Sequence, residues 1–354
     1  MSSKSVALSL AIAVTILAAP GAQTPATSAN TTITAVDGLK VGSVTLPGGT
    51  TGCTVILVDG EGAVGGVSQR GGAPGTRETD LLNPLNMVDK VNAIVLSGGS
   101  AFGLDAATGT VKWLEEHNIG WDVRVAKVPI VASAILFDLP LGNNAKNHPG
   151  ADCGYKAVDA ATTAPVQMGT VGAGAGATVG KMGGPGGPMK GGLGSAVLRM
   201  PNGLVVGAIV AVNAVGDILD PDTGKVIAGA LTAENTFADA RKLLRSGALM
   251  QRRGPRAGEN TTIGLVATNA KLTKPQMARI ALMGDDGLAR AIYPSHTMGD
   301  GDTVFSLATG RWDGEADVSM VGALAADAMS QALVQAVTQA TGVAGIKAVR
   351  DLKR

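Results

Sequence analysis

The run Gly258-Glu259-Asn260-Thr261-Thr262-Ile263 closes a stretch without periodicity and opens a β-branched segment. A threonine in such a place is ordinarily a turn or cap residue. It also has a specific chemistry open to it. A Thr261 hydroxyl held against the carbonyl of Asn260 can attack it and turn that amide into an ester. Hydrolysis then frees Thr261 as a new N-terminus, whose α-amine, with a reference pKa of about 7.7–8.0, suits the role of base for its own hydroxyl. One residue thus supplies nucleophile and base, and no histidine is needed.

Three further features could supply the remaining parts. Asn213 ends the apolar run Leu204–Val212; buried there, its amide needs partners and could donate to a developing oxyanion. Lys181 is an isolated cation in the glycine- and alanine-rich stretch 169–194. Asp300-Gly301-Asp302 sets two carboxylates just before a strand. Each also has an ordinary reading: a strand-end turn, a solvated lysine, and turn acids or a weak magnesium or calcium site. Familiar templates fit poorly. The histidines at 117, 148 and 296 form no HExxH and no Cys/His cluster, so no zinc site is expected. Gly180-Lys181-Met182 lacks the Ser/Thr of a phosphate loop, and Ala175 stands at that loop's first glycine. Gly98-Gly99-Ser100-Ala101-Phe102 has Phe at the last glycine of GxSxG, which leaves Ser100 as a helix N-cap.

The elements that must carry these side chains follow from patterning. Of 354 residues, 45% are hydrophobic, 51 are glycine and only 3% aromatic, with a net charge of +1. Glycine without a G-x-y period excludes collagen, the apolar content excludes disorder, and the neutral charge argues against nucleic acid as a partner. Lys4, the uncharged run Val6–Ala19 and the small residues Pro20-Gly21-Ala22 describe a signal peptide, cut near Ala22 or Ala29. Residues 23–36 read as a flexible leader, with structure beginning near Asp37. No later segment reads as membrane-spanning. Strands are expected at 55–58, 93–96, 204–212, 262–267 and 303–308. Helices are expected from Phe102 to about Glu116, at 231–245, from the capping box Thr273-Lys274-Pro275-Gln276 to about Ala291, and along the stripe Val318, Val321, Ala325, Met329, Ala332, Leu333, Ala336. Ser246–Asn260 is a long loop with Arg252, Arg253 and Arg256, to which no role is given. Export would permit a disulfide between Cys53 and Cys153, and the sequence leaves their pairing open; the plainer reading is two unpaired packing residues. This mixed order fits α/β layers in one domain.

Two segments, Gly71-Gly72-Ala73-Pro74-Gly75-Thr76-Arg77-Glu78-Thr79-Asp80-Leu81-Leu82 and Leu96-Ser97-Gly98-Gly99-Ser100-Ala101-Phe102-Gly103-Leu104, resemble the L-aminopeptidase/D-amidase-esterase (DmpA) family. That family includes β-peptidyl aminopeptidases and nylon-oligomer hydrolases. Asn260-Thr261-Thr262-Ile263 is similar to its self-cleavage site, and His296-Thr297 with Asp300-Gly301-Asp302-Thr303 to its acidic motif. The likeness runs from about Asp37 to the last helix. It implies a four-layer α-β-β-α sandwich of N-terminal-nucleophile type, with 1–29 as signal and leader and 30–354 as one catalytic domain. Self-cleavage would divide that domain into 30–260 and 261–354, and the processed protomers would assemble as a homo-oligomer.

By position, the resemblance makes Thr261 the nucleophile, Asn213 the oxyanion asparagine, Lys181 a site lysine, and Asp300 and Asp302 the acids that hold the nucleophile. It implies no cofactor or metal, and small peptides or amides as substrate; the signal peptide, for its part, implies a periplasmic or secreted location with no membrane after signal removal. Alternative readings are an ω-amino-acid oligomer hydrolase, an acyltransferase of ornithine-acetyltransferase type, and an inactive binding relative. Phe137 departs from the family pattern, standing where relatives carry an oxyanion tyrosine; Thr261 stands where the peptidases use serine.

Overall fold

The computed structural model describes residues 29–143, 145–247 and 260–352. The signal segment and most of the 246–260 loop, with Arg252, Arg253 and Arg256, lie outside these residues. Two sheets form the centre. The first runs in the order 39–45, 52–58, 93–97, 131–135, 76–77; the second runs 192–199, 205–213, 261–268, 303–308, 63–69, 90–91.

Each sheet contains one parallel pair, and a parallel pair needs a crossover. Between 93–97 and 131–135 the chain passes through helix α1 (Ala106–Glu116). Between 261–268 and 303–308 it passes through the longer helix at Lys274–Ala291. Three apolar clusters fix the layering. Ile56, Ile94, Leu96 and Ala134 of the first sheet meet Ile209, Ile263, Leu265 and Phe305 of the second, so the sheets face each other. Val210, Val266 and Val304 point the other way, onto the 274–291 helix and the helix at Val318–Thr338. Val55, Val95 and Val131 pack under α1 and helix α2 (Ala151–Asp159). The result is the expected α-β-β-α sandwich. The last helix is long and apolar enough to cross a membrane; here its apolar stripe covers the second sheet.

Helix starts and strands follow local chemistry. Thr273 and Gln276 form the expected capping box, and Pro275 sits where a missing N–H costs nothing. The 52–58 and 261–268 strands are buried at every residue, which suits continuous apolar runs between two layers. α1 and α2 approach closely because Gly109 and Gly154 face each other's backbones: a Cβ at either would lie 1.8 Å from a carbonyl oxygen of the other helix.

Four expectations are corrected. Cys53 and Cys153 are joined in a disulfide with a Cα–Cα distance of 6.2 Å; α2 lies directly over the 52–58 strand, a proximity across 100 residues that no local pattern carries. Within the described part of the leader, residues 29–36, Ile33 and Val36 are fully buried and the Ile33 N–H donates to Ser195 Oγ at 2.8 Å, so the chain is ordered before Asp37. The 231–245 helix is confined to α3 (Ala240–Arg245), because Leu231 bridges Gly187 and Phe237 and the buried Asp217 takes the N–H of both Ala230 and Ala240. Ser100 is no helix cap. It opens a 3-10 turn at φ +54° after Gly99, and Phe102 is 60% exposed, stacked on His148 rather than facing the core.

Candidate active site

Strand register assembles the site. Asn213, the last residue of the 205–213 strand, stands opposite Thr261, the first of 261–268. Asn260 bridges Asp300 in parallel, just before Ile263 pairs with Thr303. Three adjacent strand ends therefore gather Asn213, Asn260, Thr261, Asp300 and Asp302 at one edge, each no more than 2% exposed.

Thr261 Oγ1 donates to the carbonyl oxygen of Asn260, its own preceding residue. The same oxygen accepts the Gly301 N–H at 2.9 Å. Gly301 must be glycine at this approach, since a Cβ would lie 2.7 Å from Ala73 O and 2.9 Å from Thr261 Oγ1. On either side of it the acids are held by separate groups. Asp302 Oδ1 accepts the Thr262 N–H at 2.8 Å, and its Oδ2 accepts both the backbone N–H and Nδ1 of His296 at 3.0 Å. Asp300 Oδ2 accepts the N–H and hydroxyl of Thr297 at 2.9 and 2.6 Å. Burial and the neighbouring Asp302 charge raise the Asp300 pKa, against the Thr297 bonds and the Lys181 charge.

Lys181 reaches this edge from the glycine-rich segment. Its N–H donates to Val215 O, and its Nζ lies 2.7 Å from Asn213 Oδ1 and 3.0 Å from Asn213 O. With the Thr178 N–H also on Oδ1 at 3.0 Å, the amide's orientation is fixed. Its Nδ2 must then face the donor side, where one hydrogen goes to Phe137 O at 2.9 Å. An amide nitrogen carries two hydrogens. Phe137 thus contributes its backbone carbonyl to the site, not an oxyanion donor.

The chain matches the model of Peptidase family S58 over residues 31–350. The chain belongs to peptidase family S58. It is 43% identical over 315 residues to an uncharacterized aminopeptidase of Mycobacterium leprae, covering 83% of this chain and 84% of that one. It is 30% identical over 312 residues to a 6-aminohexanoate-oligomer endohydrolase of a Kocuria strain, covering 84% of each. Among solved structures, a Burkholderia β-aminopeptidase aligns with a TM-score of 0.65 at 21% identity, covering 88% of this chain and 87% of that one. The L-aminopeptidase D-Ala-esterase/amidase of Ochrobactrum anthropi, described as a variant of the Ntn-hydrolase fold, aligns at 0.63 and 21%, over 88% and 86%. This S58 member is an aminopeptidase-type amide hydrolase with that fold.

Sequence reasoning missed several groups around the S58 site. The Gly301 N–H is invisible to any reading of side chains. His296 stands within the acidic motif, and its spacing from Asp302 is the signal that could have assigned it a role. Deeper in, Lys190 is fully buried, with Nζ on the carbonyls of Ala177 at 2.6 Å, Gly174 at 2.9 Å and Gly191 at 3.4 Å. Burial lowers it to about 7, although the charge of Asp138 opposes that shift. Asp138 takes the Gly99 N–H at 2.7 Å and is pushed up to about 6 by burial, against that hydrogen bond and the Lys190 charge. Lys190 pins the turn that presents Thr178 to Asn213. Among the described residues, no three His, Cys, Asp or Glu side chains gather as a metal site.

Proposed function

We propose that the protein is an exported, self-processing amide hydrolase in which Thr261 is first the agent of its own release and then the nucleophile. The observation that carries this reading is the pair of donors, Thr261 Oγ–H and Gly301 N–H, on the one carbonyl oxygen of Asn260. Attack forms a bond from Thr261 Oγ to the Asn260 carbonyl carbon, with the Gly301 N–H stabilising the oxyanion. The bond to Thr261 N then breaks, and the hydroxyl proton ends on that nitrogen. Water hydrolyses the resulting ester, leaving fragments 30–260 and 261–354 in one fold.

In turnover, the freed α-amine takes the proton from Thr261 Oγ as it attacks a substrate amide, and returns it to the leaving amine. Asn213 offers its second Nδ2 hydrogen to the oxyanion while Lys181 and Thr178 hold its Oδ1. Water then releases the acyl group. Aminopeptidase action on short peptides and small amides is the first substrate class, supported by the 43% relatives. ω-Amino-acid oligomers come second, supported by the oligomer endohydrolases. Export is supported by the signal-like N-terminus and by the Cys53–Cys153 disulfide, a bond that suits an oxidising compartment. Assembly into homo-oligomers follows from the family resemblance alone.

Intact mass under denaturing conditions, with N-terminal sequencing, tests the reading. Fragments of roughly 23 and 9 kDa are expected, the smaller beginning Thr-Thr-Ile, because an N-terminal nucleophile must expose its amine. A single chain that persists uncut on long incubation would overturn it.

A further inference from the structure

Behind Asp302 lies a second buried carboxylate that the chemistry above does not use. Asp285, on the 274–291 helix, is fully buried. Its Oδ2 accepts the Ser68 hydroxyl at 2.6 Å, with Arg70 Nε 3.6 Å away. Its Oδ1 faces His296 Nε2 at 3.7 Å, and both atoms are buried without a hydrogen-bond partner. The other edge of the ring is committed to Asp302. A carboxylate oxygen accepts, so Nδ1 carries a hydrogen. His296 is held there at φ +56°, a left-handed backbone that few non-glycine residues adopt. A continuous line of contacts therefore runs from Thr262 N–H through Asp302 and His296 to Asp285.

We propose that His296 is a positioning residue for the nucleophile strand, holding Asp302 in place, and that one proton shared between His296 Nε2 and Asp285 Oδ1 determines whether it can do so. The proposal rests on Thr261 as nucleophile. With the proton in the gap, the two groups attract, either as an ion pair or as a carboxylic acid facing a lone pair. Without it, a lone pair faces a buried carboxylate. The ring is then pushed off its bond to Asp302, and the Thr262 backbone loses its anchor.

The surroundings favour retaining that proton. Burial lifts Asp285 to about 6, and Asp302 adds to this, while Ser68, His296 and Arg70 oppose it. For His296, burial works against the cation, but the Asp302 hydrogen bond and the charges of Asp285 and Asp302 outweigh burial and Arg70, so its pKa is raised. Asp286 pairs with Arg70 on the outer side. Asp300 acts on this group through Asp302, and Lys181 through Asp300. Loss of the proton therefore belongs above the ordinary histidine value of 6.5.

Self-cleavage of the newly synthesised full chain, chased after a pH jump in a cell-free translation, isolates this effect. Thr261 N is still an amide there, so no α-amine titrates. Wild type should slow toward about tenfold per pH unit on the alkaline limb, as loss of one proton requires. Asp285→Asn should keep cleaving and lose that slope, since an amide can donate to Nε2 permanently while accepting from Ser68. His296→Gln should cleave about 10²-fold more slowly, the scale of a misplaced reacting group, with no alkaline slope. An Asp285→Asn profile identical to wild type, or wild-type speed in His296→Gln, overturns the proposal. Should His296→Gln misfold, the imidazole ¹⁵N shifts of uncut Thr261→Ala read the shared proton directly; a His296 titration unmoved by adding Asp285→Asn is equally fatal. Continued cutting by Thr261→Ala would instead sink the nucleophile assignment, a separate failure.

Discussion

The two sheets each contain a parallel strand pair joined by a crossover helix, yet only one of them gathers chemistry. In the first, the hydroxyl of Ser100 follows its strand in a glycine turn, and a buried acid of that turn's surroundings, Asp138, is occupied by the Gly99 N–H. In the second, Thr261 opens its strand with its hydroxyl on a carbonyl, an N–H on the same oxygen and two acids flanking. A hydroxyl beside glycine is common; what distinguishes Thr261 is the convergence of three strand ends. The first unit has invested its close contacts in Gly109, Gly154 and a disulfide instead.

Substitutions can break this contrast, and the largest effect should come from Thr261→Ala. It should abolish cutting and lower turnover by at least about 10⁴-fold, the scale for removing a nucleophile, as read by denaturing mass and amide hydrolysis. Thr261→Ser should still cut. Asn213→Ala in the second sheet should lower kcat by about 10²–10³-fold, as expected for one oxyanion donor, with KM changing far less. The first sheet should respond in a different quantity. Cys53→Ser with Cys153→Ser should cost about 2–5 kcal/mol in denaturant unfolding, while the cutting rate of the folded fraction stays within about threefold. Ser100→Ala should alter neither cutting nor turnover by more than about twofold, because on the proposed reading this half-buried turn hydroxyl takes no part in the chemistry.

A pH experiment sharpens the comparison at the seam between the sheets. Lys190, lowered to about 7 in the fold against 10.5 as its ordinary value, binds fewer protons folded than unfolded between those limits. Stability should therefore rise as pH increases from about 7, by no more than about 1.4 kcal/mol per unit. Asp138 contributes in the opposite sense only below about 6, where the folded state binds more protons. Lys190→Met should flatten the alkaline rise in denaturation midpoints; an unchanged slope would assign it elsewhere.

The elements that carry the site were legible because their signals are local. The apolar run after Thr261, the capping box at Thr273 and the stripe from Val318 each declare a period or a cap within a few residues. Strand register, however, is a property of pairs. The sequence could suggest Asn213 and Thr261 separately, but only their pairing makes them neighbours. The cysteine bond, the burial of Ile33 and the shortened helix at 240–245 depend likewise on partners far along the chain. Phe137 is instructive in another way: its side chain offers no hydroxyl, but its backbone carbonyl holds Asn213 Nδ2 whatever side chain stands there, a contact no side-chain pattern carries.

The enclosure of the Asn260 carbonyl has a kinetic corollary. On the proposed reading the attacking and attacked groups belong to adjacent residues inside one folded core, so each molecule consumes itself once, before it meets any other substrate. Maturation is then unimolecular: its half-time should be the same at nanomolar and micromolar protein, and adding finished enzyme should not hasten the rest. A preparation would gain activity along a single exponential whose rate constant is a property of the fold, a built-in delay between folding and function.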